Sequence, residues 1–304
     1  MEKLQIGEIN MLIVNHLSKN FDKIQAVKDV SFHVEKGSTF AFLGTNGAGK
    51  STVIYMIIDL LTPDEGTIEF ANDGEVGVVF QSHRLDEELT IEENLIIRAK
   101  LYGMSKKDAN KRVDELLKLT HLSNKRDRQY GKCSGGEKRK TDIIRALVHN
   151  PSFLILDEPT TGLDADSREE IWSILHSLQK EQGLTIFLTT HYIEEAENVD
   201  YVLIMHDGEI EVEGTPHELR EQYSRTILKL HPKNSENLTE VLNKHQFTFE
   251  MENGNVLMTL LTSTDAIPIL QIVEEYIEGF TFREASLEHV FLQVTEQIKS
   301  KVKV

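Results

Sequence analysis

One cysteine, Cys133, is all the thiol this 304-residue chain holds. That scarcity excludes an internal disulfide framework and any cysteine-rich zinc site, and it fits a reducing compartment. Apolar runs of membrane length are missing as well: FAFL, FLIL and TIFL are strand length, far short of the roughly 20 residues a spanning helix needs. The opening residues MEKLQIGEIN lack the basic-then-apolar layout of a secretory signal. Basic excess is absent too. Lys and Arg number 33 against 50 Asp and Glu, a formal charge of −17 with a pI near 5.2, which argues against nucleic acid as the main partner because neutralising phosphates needs concentrated cations. These absences predict a cytosolic protein unless a partner holds it at a membrane. The length allows a large core in one to three domains.

What is present centres on GTNGAGKST, Gly44 to Thr52, set between the apolar run TFAFL and the apolar-periodic run VIYMIIDLL. A glycine-rich loop joining a buried strand to a helix is a phosphate-binding P-loop, because consecutive backbone N–H groups must turn inward around an anion where side chains would intrude. Gly44, Gly47 and Gly49 meet that need, with Asn46, Ala48 and Thr52 completing the cradle. Lys50 is expected to reach the terminal phosphates, Ser51 to place its hydroxyl on Mg²⁺, and the following helix to present its positive end to the anion. Downstream, FLILDEP is an apolar strand ending in Asp157 and Glu158. Two adjacent acids are costly there without a cation nearby, so Asp157 is expected to hold Mg²⁺ through its water shell.

Around these motifs the pattern changes in blocks. Residues 11–70 alternate short apolar strands with turns, as a mixed sheet would; residues 85–150 read as helices, with a Thr90–Glu93 capping box and Ser105 as a second cap. FLILDEP, TIFLTT and YVLIMHDG then return as buried strands separated by helical stretches, the rhythm of a parallel sheet. From residue 224 the order becomes β-α-β-β-α-β, with a turn at Glu252–Asn253–Gly254 and a closing helix SLEHVFLQVTEQIK. This is the split βαβ of a ferredoxin-like domain. Its last helix carries Leu287, Val290, Phe291 and Val294 at the spacing of one face.

Between the P-loop and the acid pair lies KCSGGEKRK. Ser134, Gly135 and Gly136 ahead of a helix resemble the signature motif of the ATP-binding cassette family, and further family marks fall in order: Gln81 resembles the Q-loop, Asp164 in TTGLD the D-loop, His191 in LTTH the switch histidine, and Phe21 the aromatic that stacks on adenine. The resemblance covers about residues 11–220. It implies an α/β P-loop NTPase core of cassette type, with a mixed β subdomain, a parallel RecA-like sheet and a helical insert at about 85–150. The expected domains are then 1–223 for nucleotide and 224–304 as a ferredoxin-like accessory. It also implies ATP and Mg²⁺ as cofactors, Glu158 polarising the attacking water, His191 contacting the γ-phosphate, and Gln81 reporting metal and water to the insert. Ser134 and its glycines would meet the ATP of an opposite protomer, a second copy or a paralogous ATPase.

Two positions depart from the family pattern. Cys133 stands for the usual leucine, a small apolar exchange. Glu137 stands for the usual glutamine, and either brings a carboxylate near polyphosphate or points to solvent. The insert and the tail resemble those of exporter-type cassettes of drug and sodium efflux systems. That likeness implies an ATPase subunit on the cytoplasmic face of a membrane, coupled to a permease on a separate polypeptide. A ribosome-acting cassette would carry two cassettes and basic linkers, and a chromosome or repair ATPase long coiled coils or zinc cysteines. A module that holds ATP without turnover usually loses the acid or the histidine, and Glu158 and His191 both stand.

Overall fold

The computed structural model describes residues 10–71 and 75–301, with side chains as far as residue 295. The N-terminal stretch inspected above for a signal lies outside the described residues except for Asn10. The chain divides into two compact units, 1–213 and 214–304.

In the first unit β1 (Asn10–Phe21), β2 (Ile24–Glu35), β3 (Thr39–Leu43), α1 (Lys50–Ile57), β4 (Glu65–Phe70) and β5 (Val76–Val79) follow one another. Three helices come next, α2 (Ile91–Leu101), α3 (Lys106–Leu119) and α4 (Gly135–Leu147), and then β6 (Phe153–Asp157), α5 (Ala165–Gln182), β7 (Thr185–Thr190), α6 (Ile193–Ala196), β8 (Tyr201–His206) and β9 (Glu209–Gly214). Two sheets result: a three-stranded antiparallel one in the order β2-β1-β4 and a six-stranded one in the order β5-β6-β7-β3-β8-β9. The contacts β5/β6, β6/β7, β7/β3 and β3/β8 are parallel. TFAFL, FLILD and TIFLTT are buried at every residue, as strands covered on both faces must be, which is why they read as unbroken apolar runs. Phe32 of β2 packs its ring against Phe40, Phe42 and Phe187 of the parallel sheet at centroid separations of 5.5, 5.3 and 6.0 Å, joining the two sheets in one core. The 85–150 block is helical as its periodicity predicts, and both predicted caps form, Thr90 with Glu93 and Ser105 with Asp108. No described helix is long and apolar enough to cross a membrane.

The second unit holds α7 (Pro216–Tyr223), β10 (Thr226–Pro232), α8 (Ser235–Lys244), β11 (Glu250–Glu252), β12 (Asn255–Leu260), α9 (Ala266–Val273), β13 (Ile277–Arg283) and α10 (Leu287–Lys301). Its sheet is antiparallel throughout, ordered β11-β12-β10-β13. Asn253 and Gly254 turn the β11–β12 hairpin with φ of 49° and 80°, the left-handed pair that a two-residue turn demands. One face of the sheet is apolar: Leu228, Leu230, Val256 and Met258 pack with Leu238 and Leu242 of α8 and Ile269 and Val273 of α9. Leu287, Val290 and Val294 of α10 are buried and Phe291 is half-buried. The sequence puts the boundary at 223/224, whereas the compact units part at 213/214. The displaced segment is α7, started by the Thr215–Glu218 capping box with Pro216 in its first turn, and it packs against α10.

Candidate active site

The C-terminal ends of β3, β6 and β7 converge, because in a parallel sheet every strand delivers its following loop to the same edge. Thr189 of β7 lies opposite both Phe42 of β3 and Asp157 of β6, so the loop after β3 and the acid pair after β6 flank one another. Within the loop two glycines are sterically required. A Cβ on Gly44 would stand 2.4 Å from the Met205 carbonyl oxygen, and one on Gly49, whose φ is +105°, would stand 2.5 Å from that of Ala26. The helix that follows, α1, has no side-chain cap and no acidic residue in its first turn. By contrast Thr90, Ser105, Ser134, Asp164, Thr215 and Asn234 cap α2, α3, α4, α5, α7 and α8. The open N–H groups and positive end of α1 therefore remain for an anion.

They face a 340 Å³ cavity lined by Ala26, the loop and α1 residues Asn46, Gly47, Gly49, Lys50, Ser51 and Thr52, and by Gln81 and Glu158. Lys50 is 5% exposed; its Nζ donates to the carbonyls of Gly44 at 2.7 Å and Thr45 at 3.0 Å. Burial pulls its pKa below the usual lysine range, against the pull of the Glu158 and Asp157 charges. Asp157 Oδ1 accepts from Thr189 Oγ1 at 2.7 Å and Ser51 Oγ at 3.2 Å. Burial raises its pKa, and the neighbouring charge of Glu158 adds to that while both hydroxyls oppose it. Glu158 holds a φ of 46°, a strained value for a residue with a Cβ. Its backbone N–H donates to Thr189, its Oε2 accepts from Gln81 Nε2 at 3.1 Å and Thr161 Oγ1 at 3.0 Å, and its Oε1 lies 3.4 Å from His191 Nδ1. That buried nitrogen of His191 makes no hydrogen bond.

An oxyanion with a divalent cation fits this donor set. Ser51 and Asp157 supply hard oxygen donors 3.2 Å apart, and a cation there would relieve the crowding of two acids. No described cluster of three or more His, Cys, Asp or Glu could cage a metal alone, which suits Mg²⁺, an ion that keeps waters and phosphate oxygens beside one or two protein ligands.

Other predicted residues stand apart from this cavity. Ser134 and Gly135 are exposed at the start of α4, and Gly136 is buried where a Cβ would come within 2.5 Å of Ser167 Oγ. Asp164 is exposed and caps α5 through Ser167, and that hydrogen bonding holds its pKa below the usual carboxylate range. Phe21, 45% exposed, ends β1 with Lys19 Nζ 5.9 Å from its ring centroid. Glu137 does not point to solvent. It is buried and closes a capping box with Ser134, its Oε2 accepting from the Ser134 N–H at 2.9 Å, while Lys125 Nζ donates to its Oε1 at 2.6 Å and Arg128 lies 3.4 Å away.

Sequence reasoning missed Arg139. Its guanidinium, buried beneath α4, donates to the carbonyls of Phe80 at 2.7 Å, Gln81 at 3.3 Å and Glu158 at 2.8 Å. It thus ties the signature helix to the Gln81 loop and to the acid pair. A basic residue on the buried face of α4 was the available signal. Thr189 was missed as well, being hidden inside an apolar strand.

A family model described as ABC transporter matches residues 27–161. Relatives called Nod factor export ATP-binding protein I include one from Burkholderia thailandensis, 35% identical over 296 residues (92% of this chain and 95% of that protein), and one from Rhizobium sp., 33% identical over 298 residues with the same shares. Among solved structures, cbiO1 from Clostridium perfringens, described as part of an ABC transporter complex, aligns with a TM-score of 0.66 at 30% identity over 78% of this chain and 96% of its own. The cassette MJ0796, solved as a dimer in a post-hydrolysis state with ADP and Pi, aligns at 0.61 and 29% identity over 67% of this chain and 98% of its own. With the Gly44–Thr52 loop, the acid pair and His191 gathered at one sheet edge, and relatives matched along nearly the whole chain, this protein belongs to the ATP-binding cassette family, as the ATPase subunit of an ABC transporter.

Proposed function

We propose that this chain hydrolyses ATP in a two-protomer sandwich to drive export through a permease on a separate polypeptide, at the cytoplasmic face of a membrane. The uncapped helix α1 opening on a cavity that holds both Lys50 and Glu158 carries the reading. Lys50 and the α1 N–H groups bind the phosphates. Ser51, Asp157 and Gln81 would hold Mg²⁺, which neutralises phosphate charge when bound. Glu158, hydrogen-bonded by Gln81 and Thr161, takes the proton of the attacking water, and His191 beside it meets the γ-phosphate. Ser134, Gly135, Gly136 and Asp164 do not line their own chain's cavity, which supports their acting on the ATP of a partner, homo- or heterodimeric. Phe21, exposed at the end of β1, is assigned to the adenine.

A groove supports the permease assignment. Between the insert and the sheet, Leu60, Phe80, Tyr102 and their neighbours line 230 Å³. In and beside it Arg98 Nε, Arg145 Nε and His149 Nδ1 are buried without hydrogen-bond partners. A permease segment bearing a carboxylate would satisfy the two arginine N–H groups, and one bearing a hydroxyl or amide donor the Nδ1 of His149, whose Nε2 faces the Val76 carbonyl. Export follows the naming of the relatives. Light scattering of Glu158→Gln protein with Mg-ATP tests the sandwich: a dimer is expected, and Ser134→Arg should abolish it. A monomer at saturating ATP, with permease segments also supplied, would refute the reading.

A further inference from the structure

The second unit contains a cavity of its own, of 330 Å³, between the end of α7, the start of β10, the end of β13 and α10. Its lining is basic although the chain as a whole is acidic. Arg225, Arg283 and His289 line it together with Tyr223, Ile227 and Leu292, and no Asp or Glu does. The register explains the convergence. Ile227 on β10 pairs directly with Arg283 on β13; both therefore lie on the sheet face opposite Leu228 and Leu230, which belong to the unit's core. The frame is fixed by hydrogen bonds across it: the Ser286 N–H donates to Ser224 Oγ at 3.3 Å and the Ala285 N–H to Thr226 Oγ1 at 3.4 Å.

The arginines are exposed and the histidine half-buried, and their donors are not used up. Arg225 donates through one terminal nitrogen to the carbonyls of Glu221 at 2.7 Å and Ser224 at 2.9 Å, and the other has no partner among the described residues. The Arg283 side chain has no hydrogen bond or ion pair among the described residues, and His289 uses only Nδ1, toward Ser286 Oγ at 3.0 Å. The nearby carboxylate of Glu221 lies 3.7 Å from His217. Two guanidiniums, each a fork of N–H donors, and an imidazole line one cavity, a donor set suited to a doubly charged oxyanion. Tyr223, Ile227 and Leu292 offer an apolar wall, and the volume sits at the small end of ligand pockets.

We propose that the C-terminal unit binds a small organic phosphate monoester, its phosphate on Arg225, Arg283 and His289 and its apolar body against Tyr223, Ile227 and Leu292. The site is separate from the P-loop and gives the ATPase subunit a second ligand. The test is an NMR titration of the full-length protein with phenylphosphate, read at the arginine Nε–Hε resonances of residues 225 and 283, assigned with Arg225→Gln and Arg283→Gln. Both resonances should shift with one shared dissociation constant, and either substitution should weaken the affinity read at the remaining arginine by about tenfold. Inorganic phosphate and benzoate should both bind more weakly, lacking the apolar body and the second charge respectively. Unchanged methyl resonances of the β10–β13 core establish that each variant is folded. The proposal fails if the two resonances stay still at saturating phenylphosphate, if the substitutions leave affinity unchanged, or if benzoate or inorganic phosphate binds as tightly.

Discussion

Arg139→Met should separate catalysis from nucleotide binding. The guanidinium is 2% exposed and bridges three backbone carbonyls, those of Phe80, Gln81 and Glu158. Burial lowers its pKa, and the charges of Asp142, Asp157 and Glu158 act to keep it protonated. Methionine fills much of the volume but leaves three carbonyls without a charged donor. At about 1 kcal/mol for each, the low end for carbonyls that retain a second lone pair and some access to water, the loss of stability is ~3 kcal/mol. The functional effect is larger and selective, because the bridge positions both Gln81 and the strained Glu158 while touching no residue of the Gly44–Thr52 loop. A displacement of Glu158 by about 1 Å, in the role proposed for it, costs on the order of 100-fold in rate. The expected outcome is a kcat lower by about 100-fold with ATP affinity changed less than about threefold. Arg139→Lys, which can restore one contact of the three, should recover part of the rate. Urea denaturation, equilibrium ATP binding and steady-state phosphate release measure the three quantities. A Met variant with normal turnover would refute the positioning role, as would one whose ATP affinity falls as far as its rate.

Glu137→Gln keeps the side-chain oxygen that caps Ser134 but removes the charge facing Lys125 and Arg128, so it should destabilise by about 1 kcal/mol and leave ATP-driven dimerisation intact; light scattering and urea melts check both. The Glu137 pKa is raised by burial but lowered further by the hydrogen bonds from Lys125 and the Ser134 N–H, with a net depression below 4.5. The stability it contributes is therefore present above the unfolded pKa and lost as pH falls through the folded one. Wild type should lose stability relative to Glu137→Gln on acidification below about pH 4.5, and parallel melts through that range would contradict this. A protein ending at Glu213 should fold and bind ATP. One ending at Tyr223 should bind ATP too but aggregate more, since it keeps α7 and its buried Leu219 without the α10 against which α7 packs.

The loop at Gly44–Thr52 was legible in the sequence because its demands are local: glycine where a Cβ would strike the Met205 or Ala26 carbonyl, and a helix start without a cap. The strands TFAFL, FLILD and TIFLTT were legible because burial on both faces writes itself as a continuous apolar run. Arg139 was not, since its partners are carbonyls 19, 58 and 59 positions away and a carbonyl leaves no mark on residue identity. The burial of Glu137 was not legible for a related reason, its counter-ions Lys125 and Arg128 arriving through the fold of the insert. The boundary at 223/224 left α7 outside the second unit because what joins it there is packing against α10, a contact distant in sequence that leaves no local mark.

The central claim is that phosphate binding and water activation are divided between Lys50 and Glu158 at one cavity. Equilibrium binding of labelled ATP, measured beside phosphate release for Lys50→Ala and Glu158→Gln, tests it most directly. Lys50→Ala should bind no ATP at concentrations that saturate wild type. Glu158→Gln should bind ATP as wild type does while phosphate release falls by at least about 100-fold. Normal turnover in Glu158→Gln, or undiminished ATP binding in Lys50→Ala, would contradict the account.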